Sequence, residues 1–87
     1  MRKTRPVVVL SPDVMNDGLH TVLVAPLTSG GFAAPFRVPC RFAGVNGQLA
    51  LHHLRSADKN RLLRRLGQLD QETARAVLAI LADMFSE

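Results

Sequence analysis

Two short segments hold the residues best suited to chemistry on a phosphate. Arg5 stands just before an aliphatic run, and Thr28-Ser29 stands just after another. A guanidinium presents its donors in a fixed fork, and a hydroxyl can donate to a phosphoryl oxygen. If the two runs are strands that pair antiparallel, the start of one lies beside the end of the other, and Arg5 and Thr28 share one rim. Such a pair would stabilise the charge that builds when an RNA 2′-OH attacks its neighbouring phosphate. The nucleophile then comes from the substrate, so the chemistry requires neither a metal nor a nucleophile from the protein. The plainer reading of the same residues is a surface Arg and a loop Thr that satisfies backbone groups.

Other chemistries find less in the chain. His52 and His53 are adjacent, so on a strand they point to opposite faces and cannot chelate one ion together. His20 is isolated, and no HExxH pattern, paired Cys or acidic cluster accompanies it. Cys40 is the single cysteine and follows Pro39 in an expected strand, with no helix N-terminus to lower its pKa. It reads as a buried structural thiol rather than a nucleophile. No phosphate-binding Gly-rich loop is present, and with no Trp or Tyr and only four Phe, platforms for base stacking are scarce.

The charge distribution agrees with an anionic partner. Residues 1–65 carry ten Lys/Arg against three Asp, a net of +7, whereas residues 66–87 carry one Arg against four acids, a net of −3. A basic body with an acidic tail suits a polyanion such as RNA, although a solvated surface accounts for it too. The longest apolar runs, Pro6–Leu10 and Val22–Leu27, are far too short to cross a bilayer. No signal peptide is read, and a lone cysteine fits a reducing cytoplasm. The 87 residues are enough for one domain spanning 1–87, of a size that a partner subunit often completes.

The elements that must position these residues follow from pattern and turn chemistry. Pro6–Ser11 is Val-rich and reads as a buried strand, followed by turns at Ser11-Pro12-Asp13 and Asn16-Asp17-Gly18. His20–Leu27 is a second strand ending near Pro26, and Thr28-Ser29-Gly30-Gly31 reads as a small-residue loop. Phe36–Cys40 is a third strand, Asn46-Gly47 a hairpin turn, and Gln48–Leu54 the strand after it. Ala57–Leu63 has room for one helical turn capped by Ser56 or Asp58, and Arg64–Leu69 for a final short strand. Asp70 then caps a helix from Gln71, with an apolar stripe of Ala74, Val77, Leu78, Leu81, Met84 and Phe85. Strands first and one long helix last predict a small, twisted, mostly antiparallel sheet or partial barrel with a helix packed on it.

Five segments in order resemble the MazF/PemK family of toxin endoribonucleases. Arg5-Pro6-Val7-Val8-Val9-Leu10-Ser11-Pro12 is similar to the family's Arg-Pro, aliphatic run and Ser-Pro, and Val24-Ala25-Pro26-Leu27-Thr28-Ser29 to its Pro-(Ile/Leu)-Thr-Ser segment. Pro35-Phe36-Arg37-Val38, Leu54-Arg55-Ser56-Ala57-Asp58-Lys59 and Arg65-Leu66-Gly67-Gln68-Leu69 resemble the strand, the Arg-(Ser/Thr)-x-Asp-Lys segment and the ending before the helix. The resemblance implies an SH3-like barrel of the MazF/PemK/CcdB type, mainly β with a C-terminal helix. It implies metal-independent, sequence-specific cleavage of single-stranded RNA (mRNA) through a 2′,3′-cyclic phosphate, with no cofactor. The catalytic Arg and Thr fall on Arg5 and Thr28. Ser29, Arg2, Lys3, Arg37, His53 and Arg55 are the auxiliary or RNA-binding candidates. A homodimer, a cognate antitoxin and a cytoplasmic location are implied as well.

The chain departs from the family pattern twice. The first strand, of Gly-(Asp/Glu)-(Ile/Val)-Trp type, and the loop after it are missing ahead of Arg2-Lys3-Thr4-Arg5, and His52-His53 replaces Asp-Gln. Loss of that strand is expected to leave an open sheet edge and to favour self-association. Two alternatives stay open: a truncated, catalytically weak antitoxin-binding or dimerisation module, and a CcdB-like gyrase poison.

Overall fold

The computed structural model describes residues 5–29, 35–42, 45–63 and 65–86 of the 87. The described residues form five strands and two α-helices: β1 (Val7–Val9), α1 (Asp13–Gly18), β2 (Thr21–Ser29), β3 (Arg37–Phe42), β4 (Val45–Ala50), β5 (Arg55–Asp58) and α2 (Gln71–Met84). The pairings β1–β2, β2–β4, β2–β5 and β3–β4 are all antiparallel. The sheet order is β1-β2-β4-β3, with β5 also on β2. The mostly antiparallel sheet with a C-terminal helix is the architecture read from the sequence.

β2 is the strand on which everything else depends. Its first half, Thr21–Val24, pairs with β5, and its last three residues, Leu27–Ser29, pair with β4. β4 and β5 therefore follow one another along β2. Between them Leu51–His53 forms a 3₁₀ turn, anchored where Leu51 N donates to Phe36 O at 3.0 Å. That turn drops Leu51 into the interior, where it is fully buried. The middle of β2 is buried on both faces, since the consecutive residues Val24 and Ala25 are each excluded from solvent.

The main core joins Ala25, Val38, Leu49 and Leu51 of the sheet side to Val77 of α2, with Val8, Leu27, Ile80, Leu81 and Met84 packed around them. Asp70 caps α2 as expected, its carboxylate accepting from Thr73 N at 3.2 Å. The stripe itself is rotated from the sequence reading. Leu78 and Phe85 are exposed, and Ile80, absent from the expected stripe, faces the core. The buried face of the helix is therefore Val77 with Ile80, Leu81 and Met84 around it.

Several boundaries differ from the sequence reading. β1 is shorter than Pro6–Ser11, and the two turns after it are one helix, α1, with Pro12 at its N-cap. Its entry is held by a local clamp: Ser11 Oγ donates to Asn16 Oδ1, and Asn16 Nδ2 donates back to Ser11 O at 2.9 Å. The same hydroxyl accepts from Leu23 N at 3.1 Å, tying the clamp to β2. Thr28 and Ser29 belong to β2 and not to a loop, while 30 and 31 lie outside the described residues. Asn46 and Gly47 sit inside β4, paired with Arg41 and Cys40 of β3, while 43 and 44 lie outside the described residues. The strand expected over Gln48–Leu54 ends at Ala50 and gives way to the 3₁₀ turn. The helical turn is a 3₁₀ turn, Lys59–Arg61, capped by Asp58. No strand forms over 65–69, and Arg64 lies outside the described residues.

Candidate functional site

Directly paired residues in an antiparallel ladder project from the same face, and alternate residues along a strand share it. Thr28 pairs with Gln48, which pairs with Pro39, so these three share a face. Arg37 and Arg41 lie two residues to either side of Pro39 and join it, as does Asn46 opposite Arg41. The β1–β2 register runs Val7–Pro26, Val8–Ala25, Val9–Val24. The bond from Leu27 N to Pro6 O, 3.2 Å, continues that pairing beyond Val7. Carried on by one residue, the same register brings Arg5, which precedes β1, level with Thr28. Leu27, Leu49 and Val38 occupy the alternate positions and turn to the core, which is why the polar residues are left outside.

The side chains on this face are connected. Thr28 Oγ1 donates to Gln48 O at 3.2 Å, and Arg37 Nη1 donates to Gln48 Oε1 at 3.3 Å. Thr28, Gln48 and Arg37 are half-buried, whereas Arg5 and Arg41 are exposed. Beside Thr28 the two strands approach closely. A Cβ on Gly47 would lie 2.7 Å from Thr28 O, so only glycine fits there without displacing backbone. Arg37 also reaches the 3₁₀ turn electrostatically. His52 is held below its ordinary value of 6.5 by desolvation, then by His53 and by Arg37, so it is neutral at pH 7.

The other sequence candidates are distributed differently. Ser29 is the last residue of β2, opposite Gly47, and by alternation turns away from the face of Thr28. Arg55 is opposite Val24, four residues back along β2, or about 13 Å at the usual rise. His53 is exposed in the 3₁₀ turn. Arg2 and Lys3 lie outside the described residues. The His52–His53 reading needs correction: the pair is not on a strand, and its rings lie 4.1 Å apart, tilted by 44°. Among the described residues no third His, Cys, Asp or Glu completes a ligand set with them. Cys40 is buried, as expected, and its thiol pKa is raised by burial and then by Asp70. A shallow cleft of about 230 Å³ lined by Asp17, His20, Asp58 and Lys59 opens at the other end of β2 and is separate from this face.

Sequence reasoning missed Gln48, the residue joining Thr28 to Arg37. Reading Asn46-Gly47 as the hairpin turn hid it, since that makes Gln48 a strand's first residue. The usable signal was Leu49 with Leu51: placing Leu49 in the core puts its neighbour Gln48 on the opposite face.

Comparison with known proteins agrees with this fold. In structure, the chain resembles MazF in the MazE–MazF complex from Deinococcus radiodurans, with 29% identity over 92% of this chain and 80% of that one and a TM-score of 0.80. A Mycobacterium tuberculosis toxin, MazF-mt6, shares the fold at 23% identity over 93% and 85%, with a TM-score of 0.82. So does an endoribonuclease solved with its cognate antitoxin from a Mycobacterial species, at 20% identity over 91% and 78%, TM-score 0.82. No curated protein sequence matches the chain. Among the described residues, no helix is long and apolar enough to cross a membrane. The model of the PemK-like, MazF-like toxins matches residues 1–85, almost the whole length, and the chain therefore belongs to this family of toxins of type II toxin–antitoxin systems.

Proposed function

We propose that this toxin is an endoribonuclease that cleaves single-stranded RNA without a metal ion, using Arg5 and Thr28. The observation that carries the reading is the β1–β2 register, which sets Arg5 opposite Thr28 at the polar end of β2. In the reaction the RNA 2′ oxygen gives up its proton to water and forms a bond to the neighbouring phosphorus, the P–O5′ bond breaks, and the departing O5′ takes a proton from water, so the products are a 2′,3′-cyclic phosphate and a 5′-OH. Arg5 binds the phosphate and stabilises the added negative charge; a free guanidinium is too basic for easy proton transfer, so its weight is electrostatic. Thr28 donates to a phosphoryl oxygen. Its hydroxyl proton points at Gln48 O in the free protein, and a hydroxyl is a rotor, so it can turn to the phosphate while Oγ1 stays in place. Exchanging a neutral hydrogen bond for one to a charged oxygen favours that turn, since the latter is roughly twice as strong.

The family's toxin–antitoxin character and the cognate antitoxin bound to the Mycobacterial endoribonuclease support an antitoxin partner here. An acidic, flexible antitoxin segment is suited to the same cationic face as RNA. A homodimer acting in the cytoplasm completes the proposal. Incubation with mixed-sequence RNA in EDTA tests the reading: cleavage to cyclic-phosphate ends is expected, and intact RNA, or cleavage that chelation abolishes, contradicts it.

A further inference from the structure

Gln48 lies on β4 between β2, which carries Thr28, and β3, which carries Arg37. Its backbone carbonyl accepts from Thr28 Oγ1, and its side-chain oxygen accepts from Arg37 Nη1. One residue therefore touches both the proposed catalytic Thr and a half-buried guanidinium one strand further across the sheet. A long Arg side chain on a sheet surface ordinarily samples many rotamers, and ordering it at the moment of binding costs conformational entropy. An acceptor already in place removes part of that cost. Gln is suited to the task because its amide is neutral: it orients the guanidinium without cancelling the charge, as a carboxylate would.

The placement indicates what Arg37 does. Residues Arg5, Thr28 and Gln48 and the β3 strand of Arg37 succeed one another across the strands, at about 4.8 Å per step. A single-stranded RNA whose reacting phosphate lies between Arg5 and Thr28 and which crosses the strands reaches the β3 strand of Arg37 two to three strand spacings later. We propose that Arg37 binds an RNA phosphate one or two nucleotides beyond the reacting one and that Gln48 is the positioning residue that holds it there. This rests on the ribonuclease reading above but concerns substrate grip and not the chemical step.

The test uses the full chain and a short single-stranded RNA. Binding is measured on the Thr28→Ala background so that RNA stays intact, and kcat and KM are measured with Thr28 present. Arg37→Gln is expected to raise Kd and KM by about five- to tenfold and to leave kcat within about twofold, the pattern of lost uniform binding. The slope of log Kd against log salt should fall by about 0.7, the value for one phosphate on a single strand. Gln48→Leu, which keeps the bulk and loses the acceptor, should raise Kd about threefold when Arg37 is present and have no effect on top of Arg37→Gln. That non-additivity separates positioning from mere packing, whose cost would persist in the double variant. Arg37→Lys keeps the charge without the fork and should retain the salt slope, which serves if Arg37→Gln folds poorly.

An unchanged salt slope in Arg37→Gln overturns the assignment. So does a Gln48→Leu effect that survives without Arg37, or a change confined to the preferred cleavage sequence, which would make Arg37 a reader of bases. If the wild type cleaves RNA while these variants bind normally, this inference fails alone. If the wild type neither binds nor cleaves RNA, the reading beneath it fails too.

Discussion

Gly47 offers the sharpest perturbation because it separates packing at the site from packing elsewhere. In Gly47→Ala the new Cβ would stand 2.7 Å from Thr28 O, where ordinary contact begins at 3.4 Å, so one backbone must retreat by about 0.7 Å. Overpacking of this kind costs roughly 1–3 kcal/mol. The retreat also stretches the Thr28–Gln48 bond of 3.2 Å, and losing it adds about 1 kcal/mol. The total of roughly 2–4 kcal/mol corresponds to a fall in Tm of about 10–25 °C for a domain of this size. Catalytic groups tolerate displacement of about 0.5 Å, so kcat should fall about tenfold or more even where the variant remains folded. Gly18→Ala is the control, since nothing lies within 4 Å of its Cβ position. It should be neutral or stabilising by up to about 1 kcal/mol. Thermal melts by circular dichroism, paired with RNA cleavage at 20 °C below each Tm, read both effects. A Gly47→Ala protein that melts and cleaves like wild type, or a Gly18→Ala protein that suffers equally, would refute the reasoning.

Two further outcomes are expected. Val77→Asp and Leu81→Asp should each destabilise the fold by several kcal/mol, on the scale of burying an unpaired charge, whereas Leu78→Asp should melt close to wild type because Leu78 is 65% exposed; equal melting of Leu78→Asp and Val77→Asp would show the helix face misassigned. His52 has a folded pKa below 6.5, so its neutral form is favoured in the fold: its contribution to stability is present above that value and lost as pH falls through it. His52→Gln should therefore melt like wild type at pH 7.5, and the two proteins should diverge only as the pH falls below 6.5, which melts of both across pH will show.

The parts of this molecule that were legible in the sequence are those decided locally. Asp70 before the apolar periodicity of 71–84 marked the start of α2, and the two aliphatic runs marked β1 and β2. The pairing of those runs then followed from antiparallel geometry, which is how Arg5 and Thr28 were brought to one rim. What was not legible depends on partners distant in sequence. Asn46-Gly47 has turn chemistry, yet register with β3 keeps both residues inside β4 and makes Gly47 a point of close approach to Thr28. Leu51 breaks a strand because the core has room for it, and that break puts His52 and His53 side by side. Thr28 lengthens β2 because β4 is there to pair with it. Leu78 looks like core on a helical wheel but is exposed, since the helix turns Val77 and Ile80 to the sheet instead.

The central claim is that Arg5 and Thr28, opposite one another across β1 and β2, carry out RNA cleavage with no metal. The most direct measurement is kcat on a single-stranded RNA in EDTA for wild type, Arg5→Ala and Thr28→Ala, with melts to show that all three are folded. The account predicts full wild-type activity in EDTA and a loss of about a hundredfold or more in each variant, as for removal of one preorganised donor. Activity that survives either substitution in a folded protein, or that disappears on chelation, would contradict it.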